Sequence, residues 1–132
     1  MECIFCDIGA ADGGKFIYRG ESVFAILDKF PSSRGHALVI TKAHIPDILS
    51  ASDELVKSAF TIARELGNRQ KAVLGAEAVR ITTNIGKAAG QDIFHAHIHV
   101  VPFYAKPHTG FVKFQQMKEE EAGELVSLLK IQ

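Results

Sequence analysis

Hydrophobic and polar positions follow a helical period in two parts of the chain. Between Ser52 and Leu74, apolar residues recur at spacings of three and four, acidic residues occupy the first turn, and Gly75 follows the last. This pattern predicts one long helix. A second, shorter helix is predicted around the leucine-rich residues 125–129, after a charged stretch.

Apolar segments separated by turn residues predict five short strands. The five segments are residues 16–18, 22–28, 36–41, 77–84 and 95–103. Gly20 separates the first two, and Pro31 and Gly35 mark the turn before the third. Because the strands follow one another in hairpins with one long helix intervening, we predict an α+β fold. It would contain a largely antiparallel sheet of about five strands, the long helix and the shorter C-terminal helix.

Length, composition and charge narrow the class of protein. The 132 residues are typical of one domain, and 47% of them are hydrophobic, so the chain can bury a core. The 15 basic and 15 acidic residues cancel and are scattered, unlike those of a protein that follows a nucleic-acid backbone. No apolar run is long enough to span a membrane, and residues 1–9 lack the features of a signal peptide. We therefore expect one soluble, cytoplasmic domain over residues 1–132, without membrane or nucleic-acid partners.

Three histidines, His95, His97 and His99, alternate along the last predicted strand. Alternate side chains of a strand emerge on one face, so the three imidazoles should point the same way. Neighbouring members lie about 7 Å apart at the α-carbon, and the outer pair about 13 Å. One metal ion, held about 2 Å from each nitrogen, cannot easily collect all three from a regular strand. We therefore expect the three histidines to do different jobs rather than to form a solvated polar face.

Cys3 and Cys6 are the only two cysteines of the chain. In a reducing compartment, a Cys-x-x-Cys pair is typical of half a metal site or of a redox pair. A redox pair usually begins a helix after a strand, and no apolar strand precedes these residues, so half a zinc site is the better interpretation. His44 and one of the alternating histidines would complete a Cys2His2 tetrahedron. Two buried, inert thiols are the alternative.

The middle histidine, His97, suits nucleophilic chemistry at phosphorus. Neutral imidazole attacks phosphorus readily, its phosphoramidate adduct hydrolyses, and an unperturbed imidazole is mostly unprotonated at neutral pH. A neighbouring histidine could contact the phosphate oxygens or the leaving group. The glycine-rich residues 86–92 precede the strand, and their backbone amides could approach a phosphate closely.

Residues 95–101, His-Ala-His-Ile-His-Val-Val, resemble the His-x-His-x-His-x-x signature of the histidine triad (HIT) superfamily of nucleotide hydrolases and transferases. Residues 3–8, 25–44 and 82–94 also match the family's motifs in order and approximate spacing. The resemblance covers the chain from residue 3 to about residue 102, and residues 103–132 form a C-terminal loop and helix beyond the diagnostic motifs. It implies a HIT-like fold, a homodimer and a purine nucleotide substrate such as an AMP derivative.

The resemblance implies four catalytic residues. His97 would attack the α-phosphate of a nucleoside phosphate derivative and become transiently nucleotidylated, and water would then release the nucleoside monophosphate. His99 would contact the phosphate and help the leaving group depart. His36 would support the orientation of the nucleophile, and Gln91 would hydrogen-bond the phosphate or the leaving group.

The resemblance also implies binding residues for the nucleotide and for a metal. Asp28 matches the acidic residue that binds the ribose hydroxyls, a role suited to a carboxylate acceptor. The base pocket corresponds to Phe5, Ile8 and Ile26, and positions near the phosphates correspond to Asn84, Gly90 and Asp92. In the zinc-bearing branch of the family, the ligands of a structural zinc ion correspond to Cys3, Cys6, His44 and His95.

Asp92 departs from the family pattern, because relatives usually carry serine or threonine at this position. An ionised carboxylate cannot donate a hydrogen bond and would repel a phosphate. Asp92 must therefore turn away, be protonated, or serve a different substrate. We hypothesise that it shifts leaving-group preference towards amines that arrive or depart as cations.

Less specific interpretations stand beside these. His36 could donate a hydrogen bond to a carbonyl at the start of a strand, and Asp28 could stabilise the turn before Pro31. Asn84 could be an ordinary loop residue, and the apolar pocket residues could belong to the hydrophobic core.

One alternative function is a metal-dependent hydrolase in which two alternate histidines and Asp28 or Asp92 hold a catalytic metal. Another is a nucleotide-binding sensor with little turnover. The favoured interpretation is a hydrolase of nucleoside phosphoramidates or dinucleoside polyphosphates.

Overall fold

Five strands and three α-helices make up the fold in the computed structural model of the chain, which describes residues 2–106, 108 and 111–132. Outside the described residues lie four residues of the predicted domain and its C-terminal loop, namely Met1, Pro107, Thr109 and Gly110. The helices are α1 (Ile4–Ala10), α2 (Asp53–Leu74) and α3 (Glu119–Leu129). The strands are β1 (Tyr18–Arg19), β2 (Val23–Leu27), β3 (Ala37–Thr41), β4 (Ala78–Thr82) and β5 (His97–Phe103). They form an antiparallel sheet in the order β1-β2-β3-β5-β4, which confirms the predicted α+β fold.

The short helix α1 was not predicted from the sequence. Its seven residues are too few to display a helical period. It begins at Cys3, whose sulfur accepts a hydrogen bond from the backbone amide of Cys6 at 3.4 Å and so caps the helix. The cysteine pair therefore lies at the start of a helix, and no strand precedes that helix among the described residues.

The strand that carries the alternating histidines begins at His97, two residues later than predicted. Before it, the amide of Ala96 donates to the carbonyl of Ile45 at 2.8 Å, and the amide of Thr41 donates to the carbonyl of Ala96 at 3.3 Å. These bonds join the chain to the loop after β3 instead of continuing the regular ladder. His95 consequently lies just outside the strand, beside that loop.

The two central strands, β3 and β5, are covered on both faces. On one face, Ile98 packs in a core cluster with α2 and α3. On the other face, Leu38 and Ile40 pack in a second cluster that includes α1. His97 and His99 pair with Ile40 and Leu38 in the ladder, and directly paired residues share a face, so both imidazoles emerge on the side of α1. No helix among the described residues is long and apolar enough to cross a membrane.

The turn before β3 is anchored by three consecutive residues. The three bonds run from Ser33 Oγ to the Pro102 carbonyl (2.6 Å), from the Tyr104 hydroxyl to the Arg34 carbonyl (2.6 Å), and from Gln70 Nε2 to the Gly35 carbonyl (3.0 Å). Gly35 has φ +92°, a conformation that favours glycine. Because His36 follows directly, this turn sets the position of its imidazole relative to β5.

Candidate active site and metal centre

Two cysteines and two histidines converge at the start of α1. Cys3 and Cys6 belong to this helix and its cap, His44 lies in the loop after β3, and His95 immediately precedes β5. The Cys6 sulfur lies 3.2 Å from His44 Nδ1 and 3.5 Å from His95 Nδ1. The Cys3 sulfur lies 3.3 Å from His95 Nδ1, and the two histidine Nδ1 atoms are 3.2 Å apart. The structure thus brings together the four residues predicted as zinc ligands.

The donor atoms and their spacing fit a tetrahedral zinc ion. Bonds of about 2.0–2.3 Å place neighbouring ligand atoms about 3.3–3.8 Å apart in a tetrahedron, close to the distances in this cluster. His95 Nε2 donates to the carbonyl of Thr41 at 2.6 Å, so the neutral ring presents an unprotonated Nδ1 to the other ligands. Burial lowers the pKa of His95, which keeps the ring neutral. The residues present therefore fit the metal.

The Cys3 and Cys6 thiols are the ligand groups whose protonation a metal ion would change most. Partial burial and the neighbouring Cys3 thiol raise the pKa of the Cys6 thiol. A zinc ion binds thiolates and displaces their protons, so it would convert this pair of thiols into ligands. Because the four donors come from three separate segments of the chain, a bound ion would tie α1 to the loop after β3 and to the start of β5.

His97 is held in one orientation, with only 7% of its surface exposed. Its Nδ1 lies 2.7 Å from the carbonyl oxygen of His95. A carbonyl can only accept, so Nδ1 carries a proton and Nε2 keeps its lone pair. The ring of Phe5 packs edge-on against the imidazole, with 5.1 Å between ring centroids. The result is a fixed imidazole whose Nε2 lone pair is available for nucleophilic attack.

His36 and His99 form a hydrogen-bonded pair whose proton positions follow from one backbone amide. The amide of Ser32 donates to His36 Nδ1 at 3.0 Å, so a neutral His36 carries its proton on Nε2. That nitrogen lies 3.0 Å from His99 Nδ1, which must accept the bond. A neutral His99 then carries its proton on Nε2, where it can donate to a ligand. We expected His36 to support His97, but its described contacts are with Ser32, Asp28 and His99.

Burial keeps both rings of this pair neutral. It lowers the pKa of His36 to about 4, although the Asp28 carboxylate, 3.4 Å from Nε2, acts in the opposite direction. Burial also lowers the pKa of His99, and the nearby His97 adds to this shift, while Asp28 and Asp92 oppose it. The proton positions deduced for neutral imidazoles therefore apply near neutral pH.

Asp28, His36 and His99 also hold three atoms close enough to ligate one metal ion. Such an ion would need the Nε2 lone pair of His36, and the ring proton would have to move to Nδ1. There it would meet the amide N–H of Ser32, so a donor would face a donor. At His95, the backbone hydrogen bond leaves a lone pair facing the other ligands and so favours a metal. At His36, the backbone hydrogen bond leaves a proton facing the other ligands and so disfavours one.

A cavity of about 550 Å³ is lined by Asp28, whose carboxylate lies beside His36, while His36, His97 and His99 are not among the described residues that line it. Ile8 and Ile26, two of the three residues assigned to the base pocket by resemblance, line it as well. Phe5 is not among the described residues that line the cavity, because its ring packs against His95 and His97 instead. The C-terminal part of the chain also contributes, through Gln116, Met117, Glu119, Ala122 and Val126.

Gln91 is buried at the base of the glycine-rich loop, with 3% of its surface exposed. Its Oε1 accepts from the amide of Gly86 at 2.8 Å, and its Nε2 donates to the carbonyls of Pro46 (2.6 Å) and Ile93 (3.1 Å). The side chain thus holds the loop closed on its own backbone. A contact to a phosphate would have to replace one of these bonds.

The other residues predicted near the phosphates surround the same loop. Asn84 is half-buried, and its Nδ2 lies 3.7 Å from the position that a β-carbon on Gly90 would occupy. Gly90 has φ +95° and exposes its backbone. Asp92 is exposed, and its carboxylate is close enough to influence His99.

Sequence reasoning missed the groups that fix the ring protons. These are the Ser32 amide and the carbonyls of Thr41 and His95, which belong to the backbone and carry no residue-type signal. It also missed the cavity residues from the C-terminal segment. Two of them, Ala122 and Val126, are spaced by four residues in α3, which is typical of core positions.

Known proteins match this chain in sequence over most of its length. The family model of the HIT domain matches residues 12–106. An uncharacterised HIT-like protein of Saccharolobus solfataricus is 39% identical over 119 residues, which cover 89% of this chain and 86% of the relative. A Bacillus subtilis relative, protein hit, is 36% identical over 105 residues, which cover 79% of this chain and 72% of the relative.

Solved structures match the fold as well. A hypothetical histidine triad nucleotide-binding protein of Sulfolobus tokodaii has a TM-score of 0.89 at 32% identity, covering 96% of this chain and 89% of the other. A zinc-bound histidine triad family protein of Mycobacterium smegmatis has a TM-score of 0.82 at 34% identity, covering 98% and 94%. The two cysteines of the metal-ligand cluster lie before the segment that the family model matches.

The burial of neutral His36 predicts a loss of stability in mild acid. Its pKa is about 4 in the folded protein and about 6.5 in the unfolded chain, so the unfolded chain binds more protons between these values. The contribution of His36 to the free energy of unfolding should therefore be complete above about pH 6.5 and should fall as the pH drops towards 4. The free energy of unfolding of wild type, relative to His36→Gln, should fall by about 2 kcal/mol between about pH 7 and pH 5.

Denaturant titrations across this pH range measure that difference. The control His108→Gln, in the loop outside both histidine clusters, should keep the wild-type pH dependence. Equal pH dependence in wild type and His36→Gln would contradict the burial of a neutral imidazole at this position.

Proposed function

The chain belongs to the histidine triad (HIT) family, and from this we propose that it is a nucleotide hydrolase. It attacks the α-phosphate of nucleoside phosphoramidates or dinucleoside polyphosphates and releases a nucleoside monophosphate. The observation that carries the proposal is the 2.7 Å hydrogen bond from His97 Nδ1 to the His95 carbonyl. This bond leaves the Nε2 lone pair of a buried imidazole available as the nucleophile.

In the first step, the Nε2 lone pair of His97 forms a bond to the α-phosphorus. The bond from phosphorus to the leaving group breaks, and its electron pair goes to the leaving oxygen or nitrogen. A leaving amine takes a proton from solvent. His99 donates its Nε2–H to a phosphate oxygen and stabilises the charge that develops there.

In the second step, a water oxygen attacks the phosphorus of nucleotidyl-His97. The phosphorus–nitrogen bond breaks, its electron pair returns to Nε2, and a proton of the water passes to solvent as the nucleoside monophosphate leaves. The Nδ1 proton stays bonded to the His95 carbonyl through both steps. The ring therefore does not have to reorient between them.

The cavity supports a purine nucleotide, such as an AMP derivative, as the substrate. Its volume of about 550 Å³ falls within the range of about 300–1,000 Å³ that is typical of small-molecule pockets. Ile8 and Ile26 provide apolar walls for a base. Asp28 provides the carboxylate for ribose hydroxyls, and its Oδ1 already accepts the amide of Phe30 at 2.9 Å.

Replacing the nucleophile should abolish turnover. His97→Ala should lower kcat for AMP release from adenosine 5'-phosphoramidate and from diadenosine polyphosphates by about 10⁴-fold or more, because no other described side chain presents the same nitrogen. Chromatographic assay of AMP measures the effect. His108→Ala is the control and should keep the wild-type rate. Turnover that survives in His97→Ala would contradict the assignment, and AMP binding without turnover in wild type would favour the sensor.

We also propose that a structural zinc ion occupies the Cys3, Cys6, His44 and His95 cluster. The tetrahedral spacing and the tautomer of His95 support this, as does the likeness to a zinc-bound histidine triad family protein. The four protein donors fill the coordination shell, which is typical of a structural rather than a catalytic zinc ion.

The purified protein should therefore hold about one zinc ion per chain. Cys6→Ser should reduce the zinc content and lower the melting temperature, while His108→Ala should change neither. AMP release should survive brief chelation, because the metal takes no part in the reaction. Immediate loss of turnover on chelation, with His97→Ala still active, would favour the metal-dependent hydrolase instead.

Asp92 is proposed to set the leaving-group preference. Its exposed carboxylate lies close to His99, where it would attract a cationic amine and repel a polyphosphate. Asp92→Ser should therefore raise the rate with diadenosine polyphosphates relative to that with amine phosphoramidates, by about 10-fold. Asp12→Ser, an exposed residue of the loop after α1, is the control. An unchanged ratio of the two rates in Asp92→Ser would rule out this role.

A homodimer is proposed to form along the open edge of β4. β4 lies at one edge of the sheet, and Ile81 is 40% exposed. Ile81 shares a face of β4 with Val79, which packs beside Gly67 of α2. Phe60 lies two helical turns from Gly67 on the same side of α2 and is 38% exposed. Together these residues form an exposed apolar strip at an unpaired edge, which is typical of an interface.

A charge in this strip should separate the subunits. Ile81→Asp should convert a concentration-dependent dimer into a monomer with an unchanged fold, since an unpaired carboxylate would be buried at the interface. Sedimentation equilibrium measures the mass, and circular dichroism checks the fold. Leu49→Asp is the control, at a residue of the short 3-10 helix Ile48–Ser50 that is 76% exposed. A wild-type monomer at all concentrations would refute the dimer.

A further inference from the structure

Gln70 is a polar side chain in the apolar layer between α2 and the sheet. It is fully buried, and the other buried residues of α2 are alanine, leucine and glycine. Its Nε2 donates to the carbonyl of Gly35 at 3.0 Å and to the carbonyl of Val100 at 2.9 Å. Carbonyl oxygens only accept, so these two bonds use both hydrogens of the amide.

The two carbonyls lie where the ladder between β3 and β5 ends. The last pair of that ladder is Ala37 with Val100, and Gly35 lies just beyond it, in the turn before β3. The Gly35 carbonyl belongs to the same peptide unit as the His36 amide. Gln70 therefore holds the peptide unit of His36 against β5 beyond the last pair of the ladder.

The histidines next to these carbonyls meet on the opposite face of the sheet. Gly35 precedes His36, and Val100 follows His99. On the side of α1, His36 Nε2 lies 3.0 Å from His99 Nδ1, to which it donates. A shift of the turn relative to β5 would change the distance between these two nitrogens, because each ring is attached to one of the two segments that Gln70 joins.

The oxygen of the same amide has no described partner. Gln70 Oε1 is buried without a hydrogen bond among the described residues, so the two carbonyls are the only described groups that orient the amide. A buried acceptor without a partner costs stability. This cost is tolerated at the point where the turn meets β5.

We infer that Gln70 is a positioning residue for the reaction: by holding the turn before β3 against β5, it sets the distance between His36 and His99. This inference rests on the proposed function and deepens it, because there His99 donates its Nε2–H to a phosphate oxygen. Its proton is confined to Nε2 while its Nδ1 accepts the bond from His36. A longer separation weakens that bond and releases the constraint on the proton.

The bond between the two rings can be measured in metal-loaded protein labelled with ¹⁵N-histidine. In wild type, a nitrogen–nitrogen coupling across the hydrogen bond should join His36 Nε2 to His99 Nδ1, and such a coupling weakens as the nitrogens separate. Gln70→Met keeps an unbranched side chain of similar length and removes both donors. It should therefore weaken or abolish the coupling, while circular dichroism confirms the fold.

Leu66→Val is the matched control. Leu66 is fully buried one turn earlier on the same side of α2, so this variant loses core packing but removes no hydrogen bond. It should lower the melting temperature and keep the wild-type coupling. An unchanged coupling in Gln70→Met would overturn the inference, and so would an equal loss in Leu66→Val, which would indicate a general loosening of the core.

Gln70→Glu replaces Gln70→Met if the methionine variant does not fold. A carboxyl buried beside two carbonyls takes up a proton, and it then supplies one donor in place of two. The coupling in Gln70→Glu should be weaker than in wild type. A coupling of wild-type size in this variant would equally overturn the inference.

Kinetics supply the second readout. Gln70 is not among the described residues that line the cavity, so Gln70→Met should keep the KM for adenosine 5'-phosphoramidate. Its kcat should fall by about 10-fold, since a small displacement far from the chemistry can have an effect of this size. Leu66→Val should keep both constants. A raised KM with an unchanged kcat would overturn the inference. If wild type shows the coupling but releases no AMP, the proposed hydrolase itself fails.

Discussion

Hydrogen bonds between imidazole rings and the backbone are the constraint on which the whole site depends. Three such bonds define it, from His95 Nε2 to the Thr41 carbonyl, from His97 Nδ1 to the His95 carbonyl, and from the Ser32 amide to His36 Nδ1. Each bond decides which nitrogen of a ring keeps a proton and which keeps a lone pair. Histidines of identical chemistry thereby suit the different roles of the proposed function: one would bind a metal, one would act as the nucleophile, and one would donate a hydrogen bond to a ligand.

The fold brings these roles within a few ångströms of one another. β5 places His97 and His99 on one face, with ring centroids 5.1 Å apart, while the bend before the strand turns His95 towards α1. Phe5 lies between the two cysteines of α1 along the chain, and its ring contacts both His95 and His97. In the proposed function, a filled metal centre would hold that ring in place and so support the orientation of His97, but the metal would take no part in the reaction.

The sequence predicted those features of the molecule whose signal lies in residue type and spacing. The period of α2, the alternation of three histidines and the cysteine pair were each sufficient to predict an element or a cluster. The short helix α1 has no period to detect, and the protons of the imidazoles depend on backbone groups that every residue possesses. Gln91 and Phe5 were assigned to ligand contacts by resemblance, and the sequence did not predict that Gln91 hydrogen-bonds its own loop or that Phe5 packs against His95 and His97. Only the three-dimensional contacts separate such roles.

The measurement that tests the central claim most directly is the position of the nucleotidyl group in the reaction intermediate. Turnover of a nucleoside phosphoramidate would be quenched within the first cycle, the modified peptide located by mass spectrometry, and the bonded ring nitrogen identified by ³¹P and ¹⁵N spectroscopy. The backbone bond to Nδ1 predicts an adduct on Nε2 of His97. An adduct on Nδ1, an adduct on another histidine, or turnover without any adduct would contradict the account.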